Sequence, residues 1–190
     1  MKIIDYQKQA KRTFVNLDSK AKNDLHMASG ILTEIGEIQD IFKKKLAYNK
    51  EIDLVNLGEE AADVAWYLVN KAFLVNIELE EFTIEEANKM IKPQTDGEMF
   101  KDMNDDERDL SFCMSLCLHL SASLIEPKAG LEDPQAALIA LAVICDTYGI
   151  DFFEQLDKNI NKLKVRFPDK FDENLAINRN TDEERKELEK

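Results

Sequence analysis

Four carboxylates stand out by their spacing. Glu34 and Glu37, in Glu34-Ile35-Gly36-Glu37, and Glu60 and Asp63, in Glu60-Ala61-Ala62-Asp63, are each three residues apart, and on a helix that interval sets both side chains on one face. Both pairs border the apolar stripe of their segment, Ile35 and Ile38 in one case, Ala61 and Val64 in the other. Four carboxylates converging between two antiparallel helices repel one another unless cations neutralise them. Oxygen donors with no partnering His or Cys select hard ions, so the expected metal is Mg2+, with Mn2+ as a substitute. Gly36, Ala61 and Ala62 are expected to leave room for the ion and its waters.

Other metal motifs fail on spacing. A di-iron bundle uses Glu-x-x-His, and neither His26 nor His119 has a Glu three residues before it. Asp102-x-Asn104-x-Asp106 starts like a calcium loop, but Glu107 stands where that loop needs Gly and Cys113 where it needs its last Glu. The competing reading is a solvated helix face, since 33% of the chain is charged and such pairs also arise by composition. Two pairs at the same stripe edge, joined by one short linker, favour the metal.

The elements that must position these groups read as helices. Six Gly and four Pro among 190 residues are too few for hairpins, Rossmann turns or phosphate-binding glycine loops. Ile3, Tyr6, Ala10, Phe14 and Leu17 form one helical stripe over residues 3–17. A second helix is expected over 24–46, its stripe running Leu25, Ala28, Ile31, Leu32, Ile35, Ile38, Ile41 and Phe42. A third carries Leu57, Ala61, Val64, Ala65, Leu68, Ala72 and Val75. Thr83-Ile84-Glu85-Glu86 is a capping box for a short fourth helix that must stop near Pro93. A fifth, over 107–125, is apolar enough to be largely buried. Asp133-Pro134 opens a sixth that Tyr148-Gly149 ends, and Asp151 opens a seventh running toward Phe167-Pro168. The expected organisation is a single all-α domain: residues 1–91 carry both carboxylate pairs, 92–109 form an acidic linker, 110–178 form a second helical half, and 179–190 are a charged tail.

A net charge of −13 repels phosphate backbones and argues against a duplex nucleic acid partner. Binding of any polyanion then needs a metal ion or a local basic cluster. The odd set Cys113, Cys117 and Cys145 suits buried reduced thiols. With no leader-like apolar run at the start and no membrane span, a cytoplasmic location is expected.

Several residues near the pairs have two readings. Glu59 either supports the carboxylates from behind or is simply solvated. Trp66 lies one turn after Asp63 and either stacks on a base or belongs to the core. His26 reads as a hydrogen-bonding residue near a helix start. Lys162 and Arg166, four apart on one face, can clamp phosphate, yet cations also suit a helix C-terminus. Shifting the chain by 73 positions superposes Asn76-Ile77-Glu78 on Gly149-Ile150-Asp151 and Asn88-Lys89 on Asn161-Lys162, an echo consistent either with duplication or with unrelated amphipathic helices. In that register Glu60 meets Asp133 and Asp63 meets Ala136.

The combination Glu34-x-x-Glu37 and Glu60-x-x-Asp63, with His26-Met27-Ala28 before, Lys43 to Lys45 between, and Asn159-Ile160-Asn161-Lys162-Leu163-Lys164-Val165-Arg166-Phe167-Pro168 with Phe171 at the end, resembles the MazG-like, all-α nucleoside triphosphate pyrophosphohydrolases. The resemblance covers roughly residues 25–75 and 140–180, with about seventy extra residues between the motifs. It implies a four-helix-bundle-like fold with Glu34, Glu37, Glu60 and Asp63 as Mg2+ ligands. It also implies hydrolysis of a nucleoside triphosphate to monophosphate and pyrophosphate, with Lys162 and Arg166 at the phosphates and Lys89 as their competitor. Relatives build their bundle from two subunits, so the long insertion implies a homodimer or a fused pseudo-dimer whose second copy has lost its site. The alternatives are a dUTP- or dCTP-selective diphosphatase of the same superfamily and a catalytically silent helical module.

Overall fold

The computed structural model describes residues 1–91, 101–125, 133–178 and 180–189, with the backbone alone for 122–125. Among these residues every regular element is a helix. They are α1 (Ile3–Ala10), a 3-10 turn (Lys11–Thr13), α2 (Lys20–Tyr48), α3 (Leu54–Leu74), α4 (Ile84–Met90), α5 (Asp105–Ile125), α6 (Pro134–Thr147), α7 (Phe152–Arg166), α8 (Glu173–Ile177) and α9 (Thr181–Leu188). No single helix is long and apolar enough to cross a membrane among the described residues.

Local chemistry explains the starts. Ser19, Asp53 and Asp151 each accept a hydrogen bond from a backbone N–H of the first turn of α2, α3 and α7. Thr83 and Glu86 make the expected reciprocal capping box. Asp133 caps α6 with Pro134 in its first turn. Asn104 and Glu107 bond to each other's backbone N–H and open α5, which is what the calcium-loop-like phrase does here.

Helix α3 is the centre of the packing. It lies against α1, α2, α6 and α7, and Leu57, Ala61, Val64, Ala65 and Leu68 share one core with Ile35, Ile38 and Phe42 of α2, Leu141 of α6 and Leu156 of α7. Small side chains on α3 permit these close approaches on several sides. Every residue of α6 from Ala137 to Cys145 is buried.

Several expectations are corrected. The first helix stops at Ala10 rather than reaching Leu17, because Thr13 bonds back to the Ala10 carbonyl and the Asn23 side chain ties down Leu17 N and Asn16. Leu25 and Leu32 lie outside the core of α2, at 67% and 38% exposure. Helix α5 buries Leu110, Cys113, Cys117 and Leu120 but leaves Leu118 63% exposed, because α2 and α6 cover only one of its sides. The enclosed helix is α6 instead, over residues 137–145. Residues 105–109 of the expected acidic linker belong to α5, and residues 92–100, with Pro93, lie outside the described residues. Within the expected tail, residues 181–188 form α9, which packs on α7. Cys113, Cys117 and Cys145 are buried free thiols.

The ends of α3 and α6 are built alike. Asn76 and Gly149 both take positive φ, at 56° and 69°. Asn76 N bonds Phe73 O as Gly149 N bonds Asp146 O, and Ile77 N bonds Ala72 O as Ile150 N bonds Cys145 O. Corresponding atoms are 73 positions apart. The packing partners exchange in the same way: α2 lies on α3 and α5 on α6, while α3 meets α7 and α6 meets α4.

Candidate functional site

Glu34 on α2 and Glu60 and Asp63 on α3 converge. One carboxylate oxygen from each lies within 4.8 Å of the others, as the three-residue spacing and the α2–α3 packing require. Glu37, the fourth expected member, is exposed at the edge of the same cavity and outside this cluster.

Electrostatics in the cluster are strained. Burial, then the charges of Asp63, Glu34 and Glu59, push the Glu60 carboxyl up to about 8. Glu34 is raised as well, first by burial and then by Asp63. The cluster therefore holds a proton near neutral pH where a cation is absent.

Asp63 is held from below. Lys162 Nζ donates to both its oxygens at 2.7 and 2.6 Å and to Glu59 Oε1 at 3.2 Å. Asn159 Nδ2 also donates to Asp63, and the Tyr6 hydroxyl lies 2.9 Å from Asn159 Oδ1 and 3.0 Å from the Ala62 carbonyl. Lys162 is 1% exposed. Burial alone lowers an ammonium pKa, but the charges of Asp63 and Glu59 overcome this and raise it. Burial, then Asp63, likewise holds the Tyr6 phenol well above its ordinary value. Lys162 is thus an internal countercharge beneath the carboxylates and does not line the cavity, so the expected phosphate contact is corrected to a supporting one. Glu59 is half-buried and paired, not solvated.

The cavity above the cluster has a volume of about 440 Å³. Its carboxylate floor faces an aromatic wall of His26, Trp66, Tyr67, Phe167 and Phe171. Trp66 and Tyr67 meet edge to face at 4.9 Å, and Trp66 Nε1 donates to Thr13 Oγ1 at 3.1 Å. This bond fixes the indole at the cavity, in contact with both core and opening. His26 sits in the second turn of α2, edge to face with Tyr67 at 5.9 Å. Its buried Nδ1 has no hydrogen-bond partner among the described residues, so the expected helix-start bond is absent.

Room for Tyr67 comes from Gly30, which the reading of the sequence did not single out. A Cβ there would overlap Tyr67 Cε1, Cζ and Cδ1, whereas a Cβ at Gly36 would meet nothing. Gly36 is exposed and Ala61 and Ala62 are core residues, so the expected roomy set around the ion is corrected to one glycine under the aromatic wall.

Arg166 lines the cavity at the end of α7. Its Nε donates to Glu184 Oε1 at 2.8 Å and its Nη2 to Glu184 Oε2. Glu184, 3% exposed on α9, is a residue that sequence reading missed. The only local signal was a run of charge, which ordinarily marks solvated helix. Lys89 is elsewhere: it forms an exposed ion pair with Glu85 on α4 and does not line the cavity.

The donor set fits a hard divalent cation. It offers three convergent oxygens, an excess of negative charge over the single buried ammonium, and no nitrogen or sulfur within the cluster. No protein-family model, curated protein or solved structure matches the chain.

Proposed function

We propose that this protein is a Mg2+-dependent nucleoside triphosphate pyrophosphohydrolase, converting a ribo- or deoxyribonucleoside triphosphate to the monophosphate and pyrophosphate. One observation carries the reading: a convergent carboxylate cluster and a base-sized aromatic wall share a single cavity. Inorganic phosphates have no use for aromatic rings, whereas a nucleotide uses both halves.

Glu34, Glu60 and Asp63 are the residues that would hold the ion. Bound there, Mg2+ supplies charge neutralisation for the phosphates and a water of lowered pKa. Asp63 keeps its orientation through Lys162 and Asn159, so it meets the ion without reorganising. Glu37, at the rim and outside the cluster, takes the proton of the attacking water as the water oxygen bonds to phosphorus and the P–O bond to pyrophosphate breaks. Arg166 contacts the phosphates. Trp66, Tyr67 and His26 flank the base, and their contact with the core excludes water from that side.

The fold belongs to this reading as a four-helix-bundle-like pyrophosphohydrolase with an internal duplication. The repeated turn at Asn76 and Gly149 and the exchanged packing of α3 with α7 and α6 with α4 are what a two-fold relation between α2–α4 and α5–α7 produces. Ala136 in place of an acid leaves the second copy without a cluster. The chain is thereby a pseudo-dimer with one site, working as an intracellular enzyme of nucleotide metabolism.

The test is pyrophosphate release from a panel of common and modified nucleoside triphosphates, with Mg2+ and with chelator. Release confined to dUTP or dCTP narrows the substrate to those selective relatives. A folded protein that releases none from any substrate is a silent helical module.

A further inference from the structure

Arg166 is held by an element outside the bundle. Its Nε and Nη2 both donate to Glu184, a nearly fully buried carboxylate on α9, so the plane of the guanidinium is fixed by a two-point bond. Among the described residues the Nη1 amino group has no hydrogen-bond partner, while Arg166 itself lines the cavity. A freely rotating arginine beside three carboxylates would fold onto them. Glu184 and Leu188 are the buried residues of α9, so the ion pair and the Leu188 side chain anchor this helix where it packs on α7. An exposed ion pair, Arg185 to Asp53 at 3.7 Å, also links α9 to the start of α3, the helix that carries Glu60 and Asp63.

We infer that Glu184 is a positioning residue for substrate: it fixes the Arg166 guanidinium so that Nη1 is presented to a phosphate of the nucleotide rather than to the carboxylate cluster. The inference rests on the nucleotide reading above and adds a specificity element on the terminal helix. Glu184 touches no substrate; its effect on substrate runs through Arg166. Its deletion is therefore expected to weaken substrate capture while leaving the hydrolytic step nearly intact.

Steady-state hydrolysis of the best nucleoside triphosphate by the full chain tests this with Glu184→Ala, Glu184→Gln, Arg166→Ala and the double variant. The expected result is a KM raised about tenfold in Glu184→Ala with kcat changed less than about twofold, and a smaller rise in Glu184→Gln, which keeps one acceptor. The double variant is expected to match Arg166→Ala, because the effects of two residues on one route do not multiply. Circular dichroism checks folding, and where Glu184→Ala fails to fold the Glu184→Gln cycle gives the same comparison. An active wild type with KM unchanged or lowered in the folded Glu184 variants, or effects that multiply, overturns this inference alone. A wild type that hydrolyses no nucleotide overturns the hydrolase reading and this inference with it.

Discussion

Lys162 Nζ lies 2.7 and 2.6 Å from the two oxygens of Asp63, closed off from solvent beneath the carboxylate cluster. A bidentate buried pair of this kind sets the direction of Asp63 before any ion arrives. Removing the ammonium leaves Asp63 and Glu59 facing each other unneutralised.

Lys162→Ala is accordingly expected to cost about 3 kcal/mol or more of folding stability, the usual loss when one partner of a buried pair is deleted. Urea denaturation with and without Mg2+ measures it, and the ion is expected to recover part of the loss. A change below about 1 kcal/mol in both conditions contradicts the role given to Lys162.

Glu60 makes the metal-free fold sensitive to alkali. Its carboxyl titrates near 8 in the folded chain against 4.5 ordinarily. Below 4.5 both folded and unfolded chains hold the proton and there is no penalty. Between 4.5 and 8 the unfolded chain ionises first, so the folded state loses stability as pH rises, and the loss levels off above 8. In chelator, Tm is expected to fall from pH 5.5 to pH 8 more in the wild type than in Glu60→Gln. Mg2+ selects the ionised cluster, so its stabilisation is expected to grow over the same range. Equal slopes for the two proteins in chelator rule out Glu60 as the source.

Gly30→Ala places a methyl group into the Tyr67 ring. The ring must shift or the α2–α3 spacing must widen, at a cost of about 1–3 kcal/mol. Because Tyr67 is part of the aromatic wall, KM for nucleotide is expected to rise more than kcat falls. Gly36→Ala, whose new methyl meets open space, is the matched comparison and is expected to melt within a few degrees of wild type. Equal effects at the two glycines contradict the packing account.

Trp66 is the one tryptophan of the chain, and it stands on the cavity wall. Its emission is expected to change on addition of Mg2+ with a slowly hydrolysed nucleoside triphosphate analogue, and to stay constant with Mg2+ and tripolyphosphate alone. Trp66→Phe keeps a ring and is expected to raise the dissociation constant less than Trp66→Ala, which is expected to lose about tenfold. Constant emission on saturation with nucleotide places the base elsewhere.

The helices and the convergence of Glu34, Glu60 and Asp63 were legible because both rest on short-range rules. Caps such as Ser19, Asp53 and Asp151 act within one turn, and a three-residue interval fixes which side chains share a face. Glu37 obeyed the same interval yet fell outside the cluster, since a shared helix face does not say which of its members a neighbouring helix will cover. Lys162 was found as a residue and misplaced in role, because a four-residue spacing to Arg166 says nothing of burial. Gly30 and Glu184 depend on contacts across 37 and 18 positions, with Tyr67 and Arg166 respectively, and neither leaves a local mark. The exposure of Leu118 has the same origin: an apolar helix is enclosed only where neighbours exist to enclose it.

The most direct measurement is Mg2+-dependent pyrophosphate release by wild type and by Glu60→Gln, followed by phosphorus NMR on a nucleoside triphosphate panel. The account predicts monophosphate and pyrophosphate from at least one nucleotide, release abolished by chelator, and a loss of about 100-fold or more in kcat/KM for a Glu60→Gln protein that remains folded. Folded wild type that forms no pyrophosphate from any nucleotide, or equal release by Glu60→Gln, contradicts it.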